Sequence, residues 1–502
     1  MSRVNLSGWK AGIVLAFLCS LKSLAQSYYE TLDSMALENK LIGMSVAVVC
    51  NGTVTDVHHY GLSDITRNIP VTDSTMYRVA SVSKSVTASA LMKLFESGYF
   101  SLDEDISDYL GFNIKNPNYP EEPITFRMIL SHTSGLQDGT GYNYFLQATA
   151  SQTPPPPLAS LLEPGGTFYT ANMWLPKHPG TWFNYANINF GVAATLIERL
   201  SGIRFDIFTR DSILLPLGIN GSFNVNDIGN INNVAVLYRN SIPQMDNYQG
   251  VPPLPVNLTG YIIGTNGMIF SPQGGLRISA PDLCNFMVMQ AQHGSFNNVR
   301  ILDSSTIALM HDTQWDYNGG NGNNYYNLFR RWGLGFHLTT NATNGDIVFE
   351  GVPMIGHPGE AYGLISDMYF EKDKKFGLVF ITNGYSGTTG YLPGDYSAFY
   401  LPEEEVFSAI RDFHFSACFP VSVNNSSAVD QHASPWYDRT NNTLHFPAMN
   451  AGGLLTVFNI QGGIIFQSEL SGNTIRIQDI PPGLYIYTLR LSTGVIRGKF
   501  IR

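Results

Sequence analysis

Two stretches lying far apart in the chain constrain its fold most. The first, "GMSVAVVCNGTVTDVHHYG" from Gly43, is a pair of strand-like runs joined at the turn signal "NGT". The second, "GLISDMYFEKDKKFGLVFITNG" from Gly363, alternates apolar and polar residues on both sides of "EKDKK" and reads as another hairpin. Between them the apolar spacing turns helical, in "SVTASALMKLFESG", "ITFRMILSHTSGL" and "NFGVAATLIERLSG". Helices between early and late strands predict an α/β domain whose antiparallel sheet is built from both ends and covered by helices. The first hairpin suits an edge of that sheet, and "TPPPP" at 153–157 is expected as an extended surface excursion.

With 502 residues the chain is long enough for one large core and an appendage. The break falls at "VNNSSAVDQHASP", which has little to bury; beyond it "LLTVFNI", "GIIFQSEL", "TIRIQDI", "GLYIYTLRL" and "VIRGKFIR" are short runs bounded by Gly, Pro or Asn. They predict a small all-β sandwich over 436–502, after a linker at 416–435. At the other end, Arg3 and Lys10 precede the apolar run "AGIVLAFLCSL" and small residues at Ser23 and Ala25, the layout of a secretory signal over 1–25. The main domain then occupies 26–415, and the mature protein is expected at the cell surface or secreted, by way of the periplasm.

Charged residues make up 14% and the net charge is −10, so no basic surface invites nucleic acid. No segment of the mature chain is long and apolar enough to span a bilayer. Beyond the signal remain Cys50, Cys284 and Cys418, so at least one is unpaired and no disulfide framework is implied. Neither Cys-x-x-Cys nor His-Glu-x-x-His occurs, and no metal or other cofactor is expected.

The chemistry of interest sits in "RVASVSKSVTASALMKLFESG", where Ser81 and Lys84 open a helix on which Val82, Val86, Ala90, Leu91, Leu94 and Phe95 recur at helical spacing. Residues at i and i+3 share a face, so Lys84 can reach the Ser81 hydroxyl, and the helix start supplies free N–H groups where negative charge could develop. An amine serves a serine as base only when burial or a neighbouring cation keeps it partly unprotonated. The spacing alone decides nothing, since Ser7 and Lys10 share it inside the targeting segment. "YAN" at 185–187 and "HPG" at 357–359 follow, but Tyr-x-Asn recurs at Tyr238 and Tyr325 and a second "HPG" begins at His178.

Their surroundings choose among them. "ASVSKSVTA", "ILSHTSGL", "PGTWFNYANINFGVAATLIERLSG", "GGLRISAPDLCNFM", "WGLGF" and "IGHPGEAYGLISDMYF", in that order, resemble the serine beta-lactamase and penicillin-binding-protein superfamily, in its class C beta-lactamase, DD-peptidase and esterase branch. The resemblance implies an α/β domain with a five-stranded antiparallel sheet beside an all-α subdomain, the site lying between them. It implies Ser81 as nucleophile, with Lys84 and Tyr185 sharing proton transfer. Asn187, His357 and Gly359 would contact substrate, and the backbone N–H groups of Ser81 and Glu360 would form the oxyanion hole. "HPG" departs from the Lys-Thr-Gly of efficient beta-lactamases, and a histidine is expected to clamp a substrate carboxylate less firmly at neutral pH. His132 in "SHTSGL" is read as structural, while Trp174, Trp182, Tyr142 and Tyr144 are left between lining the pocket and covering it.

The terminal unit, with "GLYIY" and the "KFI" ending, is similar to the type IX secretion C-terminal sorting domain of Bacteroidetes proteins. That implies the type IX secretion machinery as a partner. The first functional expectation is a secreted serine hydrolase working through an acyl-enzyme on esters or amides: esterase, D-peptidase or weak beta-lactamase acting on a small-molecule or peptide substrate. The alternative is a non-catalytic surface protein that keeps the fold for binding.

Overall fold

The computed structural model describes residues 27–372 and 376–418, together with the strands between 436 and 501 given below and a few residues beside them. The expected signal segment and most of the expected linker lie outside the described residues. The chain divides into two compact units, Met1–Pro420 and Val421–Arg502.

In the first unit the two hairpins meet in one antiparallel sheet. Its strands are β1 (Gly43–Cys50), β2 (Thr53–Asp64), β3 (Ile69–Pro70), β4 (Trp315–Asp316), β5 (Arg331–Trp332), β6 (His337–Leu338), β7 (Ile355–Ala361), β8 (Leu364–Glu371) and β9 (Phe376–Thr382). They run in the order β4-β5-β6-β7-β8-β9-β1-β2-β3, five long strands flanked by short ones. The N-terminal hairpin lies at one end of the sheet, with only the two-residue β3 beyond β2, and β9 returns to pair with β1 in the register Val46↔Phe380 and Ala47↔Val379. Closing that contact across the chain gives β1 a partner on each side.

Alternation along these strands feeds two cores. On one face Ala47, Val49, Met368, Val379 and Ile381 join the core shared with the helices; on the other Val46, Val48, Ile365, Leu378 and Phe380 form a second. A sheet buried on both faces needs apolar residues at successive positions, which is why "SVAVV" and "GLVFI" read as near-continuous runs. The second face is closed by helix α1 (27–38) and, later, by α5 (Leu401–Cys418), through Tyr28, Leu32, Val406, Phe407 and Ile410. Cys50 at the end of β1 and Cys418 at the end of α5, with Cα atoms 5.1 Å apart, are joined in a disulfide, whereas Cys284 is buried and free. So one pairing that the cysteine count did not suggest ties α5 to the sheet.

The helical side is built on α2 (Ser83–Glu96) and α3 (Ile188–Ser201), packed together, with α4 (Ala280–Ala291) against the sheet. α2 is buried nearly all round rather than amphipathic: Ser85, Thr87 and Ser89 are covered, and their hydroxyls donate to the carbonyls of Gly335, Pro272 and Ser85. Small hydroxyl residues satisfied by backbone are what allow a helix to sit in the middle of a domain. The proline run also differs from expectation. Pro155 and Pro156 are buried, and the Pro156 carbonyl accepts from the buried Asn266 amide at 2.7 Å.

Among the described residues, the second unit has two sheets. One holds β10 (Trp436–Asp438), β11 (Thr443–His445) and β14 (Thr474–Arg476); the other runs β13 (Ile464–Leu470), β12 (Gly453–Phe458), β15 (Leu484–Leu491), β16 (Gly494–Ile501). Leu444, Leu455, Val457, Leu470, Tyr485 and Leu489 from both sheets share one core, as a sandwich requires.

Candidate active site

Ser81 stands on a single 3-10 turn, Ala80–Val82, that leads into α2. Ala80 before it is held at φ +43°, a left-handed conformation costly for a residue with a side chain. Bonds on the adjacent residue fix the entry: Val79 N–H donates to Leu276 O at 2.9 Å, and Val79 O accepts from Ser366 Oγ at 2.9 Å. The chain is thereby bent sharply at the serine, leaving Ser81 partly exposed while its neighbours on both sides are buried.

Lys84 lies one turn on and is fully buried. Its Nζ is 3.0 Å from Ser81 Oγ, 2.8 Å from Asn187 Oδ1 and 2.8 Å from the Gln273 carbonyl. Burial pulls its pKa down to about 7, against the pull of the Asp138 carboxylate, which favours the charged form. An amine so placed is partly unprotonated at neutral pH, and its lone pair has the serine hydroxyl within reach.

Tyr185 and Asn187 come from the segment entering α3. The Tyr185 ring faces the Lys84 ammonium, 4.8 Å from its centroid, and stacks on Phe329 at 5.1 Å. Its hydroxyl is buried beside Ser81 without a fully formed hydrogen bond; burial raises its pKa, and the Ser81 hydroxyl opposes that rise. Asn187 is held by a residue that the sequence did not single out. Asp138 accepts from Asn187 N at 3.0 Å, from Asn187 Nδ2 at 2.8 Å and from Ile188 N at 2.9 Å. One carboxylate thus caps α3, where negative charge is favoured, and turns the Asn187 carbonyl oxygen toward Lys84. No local pattern reveals Asp138, since its partners lie in a different segment of the chain.

Strand β7 brings the "HPG" motif alongside. Gly359 lies so close to the serine turn that a methyl group added there would sit 2.5 Å from Ser366 Oγ, 2.8 Å from Val79 O and 3.1 Å from Ser81 N. A glycine is needed because no side chain fits, and the close approach brings the strand, with Glu360 next along it, up to the serine turn. The Glu360 carboxylate accepts from Tyr400 OH at 3.0 Å. His357 is different from what the motif suggests. Its ring has no exposed surface, its Nδ1 is 2.6 Å from the Pro358 carbonyl, and Trp332 meets it edge-on at 5.3 Å. Burial, with Lys84 nearby, holds its pKa well below the usual histidine value. It is neutral and covered, so its side chain offers no cation to a substrate carboxylate.

His132 is likewise buried, with Nδ1 accepting from Ala186 N at 3.2 Å and facing the Asn189 amide at 3.2 Å, in keeping with a structural role. A cavity of about 1010 Å³ opens over Ser81, Tyr185, Asn187 and Gly359, with Asp138, Tyr142, Glu360 and Tyr326 also on its walls. Trp174 is buried and Tyr144 exposed, and neither these nor Trp182 lines it. Among the described residues no cluster of side chains is suited to a metal ion.

The profile of the family described as Beta-lactamase matches residues 24–398. The chain belongs to the beta-lactamase family. Penicillin-binding protein 4 of Amycolatopsis lactamdurans is 24% identical over 386 residues, 75% of this chain and 91% of that protein. Penicillin-binding protein 4* of Bacillus subtilis (strain 168) is 26% identical over 39% of this chain and 40% of its own. The octameric penicillin-binding protein homologue from Pyrococcus abyssi aligns with a TM-score of 0.56 at 18% identity, over 95% of this chain and 96% of that one. The D-amino acid amidase from Ochrobactrum anthropi SV3 gives 0.52 at 21%, over 78% and 99%. The beta-lactamase-family fold, with its large antiparallel sheet and helices, is therefore the fold of this chain.

Proposed function

We propose that this family member is an exported serine hydrolase that forms an acyl-enzyme on Ser81 and cleaves ester or amide bonds. The observation that carries the reading is the fully buried Lys84 amine 3.0 Å from Ser81 Oγ, with its pKa brought down to about 7. Neutral Lys84 takes the Ser81 proton as Oγ attacks the substrate carbonyl, and the oxyanion is met by the N–H groups of Ser81 and Glu360. Protonated Lys84, through Tyr185, returns the proton to the leaving oxygen or nitrogen. Water then enters, gives its proton back along the same route and releases the acid. Asn187 keeps Lys84 aimed and contacts the substrate amide, and Gly359 lets substrate lie along β7.

A neutral His357 beneath Tyr185 supports esters and D-configured amides or peptides over beta-lactams, whose carboxylate would meet no charge from that residue. The solved structure named a D-amino acid amidase agrees with D-configured amides, whereas the relatives named penicillin-binding proteins are named for a beta-lactam. The test is a fluorophosphonate probe followed by mass spectrometry of the labelled peptide. Adduct on Ser81, lost in Ser81→Ala, is expected; an unlabelled Ser81 in folded protein would favour the binding-protein alternative.

The export half of the proposal rests on the N-terminal layout and on the likeness of 436–502 to type IX sorting domains. A chain ending before Ala433 and lacking the signal is expected to be folded and active, and the same truncation with its signal to remain in the periplasm of a type IX-competent host. Appearance of the truncated protein at the surface or in the medium would overturn the sorting role.

A further inference from the structure

Three consecutive residues bearing side chains, Tyr325, Tyr326 and Asn327, hold left-handed backbone at φ +50°, +58° and +75°. For L-residues each such conformation is unfavourable, and a run of three with two tyrosines is rare outside glycine or asparagine turns. The turn is pinned in place. Tyr325 OH donates to the Tyr185 carbonyl at 2.9 Å, Asn324 Nδ2 donates to Asn327 Oδ1 at 2.8 Å, Arg330 donates to the same oxygen at 3.1 Å, and Phe329 N–H returns to Asn324 O at 2.9 Å. All this fixes a ring that packs against little: Tyr326 is 95% exposed, yet it borders the cavity over Ser81. Core packing cannot account for a bulky residue at a strained position where it buries almost nothing. Such strain persists only where the surrounding structure over-determines it, as these bonds do here, and it clusters at active sites and ligand clamps.

A second tyrosine borders the cavity from another element, its backbone set by the two-residue hairpin turn it shares with Gly363. Tyr362, in the turn between β7 and β8, lines the same cavity, sits at φ +57° and is 39% exposed, with the Arg78 guanidinium 5.6 Å from its ring centroid. Tyr142, Leu328 and Phe329 also line this cavity. We infer that Tyr326 and Tyr362 are specificity residues at the cavity mouth that hold the aromatic ring of an aryl-bearing ester or amide. Ring-on-ring contact of this kind is worth about three- to tenfold in affinity. The inference rests on the hydrolase reading for its substrate, though not for the binding surface itself.

The test separates the two. On the Ser81→Ala chain, which cannot form the acyl-enzyme, dissociation constants for ethyl phenylacetate and ethyl acetate are measured by NMR titration, with and without Tyr326→Gly. With Ser81 intact, kcat/KM is compared for the same esters and for phenyl acetate, which carries its ring in the leaving group. Tyr326→Gly is expected to weaken aryl ligands about three- to tenfold more than ethyl acetate, in binding and in at least one aryl arm of turnover. Its Tm should hold or rise, because glycine relieves the left-handed strain. Tyr326→Phe should keep the preference. Equal losses on aryl and non-aryl ligands, or a lowered Tm, would overturn the inference. Selective binding without any turnover would sink the hydrolase reading and leave the aromatic mouth standing.

Discussion

Lys84 and His357 are two fully buried bases at one site, and burial lowers the pKa of each. Their surroundings make them opposites. Lys84 is surrounded by acceptors, with Ser81 Oγ, Asn187 Oδ1 and the Gln273 carbonyl all within 3.0 Å, so it can hold a proton or give one up. His357 is closed in by Trp332 and Tyr185 and tied to the Pro358 carbonyl of its own strand. A depressed pKa prepares a base only where the lone pair has somewhere to go. On the proposed reading, the helix side of the cleft carries proton transfer, whereas the strand side contributes shape and backbone.

The largest effect should come from the helix side. Ser81→Ala is expected to lower kcat/KM by about four orders of magnitude or more, with Tm nearly unchanged because one hydroxyl at a turn is a small loss. Turnover equal to wild type would dismiss Ser81 as nucleophile. Next, Lys84→Met should cost about a thousandfold. In the wild type, kcat/KM should rise with pH through about 7 as Lys84 loses its proton and level off above it. A profile flat from pH 5 to 9 would exclude Lys84 as the titrating base.

Much of this architecture is legible in the amino-acid sequence. Hairpins at both ends of the domain, the helix carrying Ser81 at its entry and the later "YAN" and "HPG" follow from periodicity and ordered motifs. What periodicity misses is set by contacts across the chain. The disulfide between Cys50 and Cys418 depends on α5 ending over β1, and the inner place of β1 depends on β9 returning to it. Asp138 belongs to a polar loop that only the fold carries to the start of α3. The burial of His357 depends on Trp332 and Tyr185, which no spacing rule places above it.

Two substitutions sharpen the comparison at intermediate size. Gly359→Ala should cost about a hundredfold in kcat/KM and lower Tm, since the added methyl would be 2.8 Å from the Val79 carbonyl and the serine turn must shift. Unchanged kinetics would mean that the strand does not set the position of Ser81. Asp138→Asn should cost about tenfold, by loosening Asn187, and should also move the acidic limb of the pH profile. The sign is fixed by charge: Asp138 favours protonated Lys84, so removing it lowers the Lys84 pKa and carries the limb to lower pH. A purely structural loss would reduce the rate without moving the limb.

The smallest effect is expected from His357→Gln, and it bears most directly on the difference between the two bases. If the motif histidine clamped substrate carboxylates, its loss would penalise carboxylate-bearing substrates selectively, and the penalty would grow as pH fell and the ring took its proton. The buried ring predicts neither. With its pKa held well below the histidine range and its surface covered by Trp332 and Tyr185, His357 stays uncharged through the working pH range. Glutamine should therefore change kcat/KM by less than about threefold, to the same extent for a D-alanyl peptide with a free carboxylate and for its methyl amide, at pH 6 as at pH 8. Selective loss on the free carboxylate would show that the ring reaches substrate and carries charge there, and the two sides of the cleft would no longer divide into proton transfer and shape.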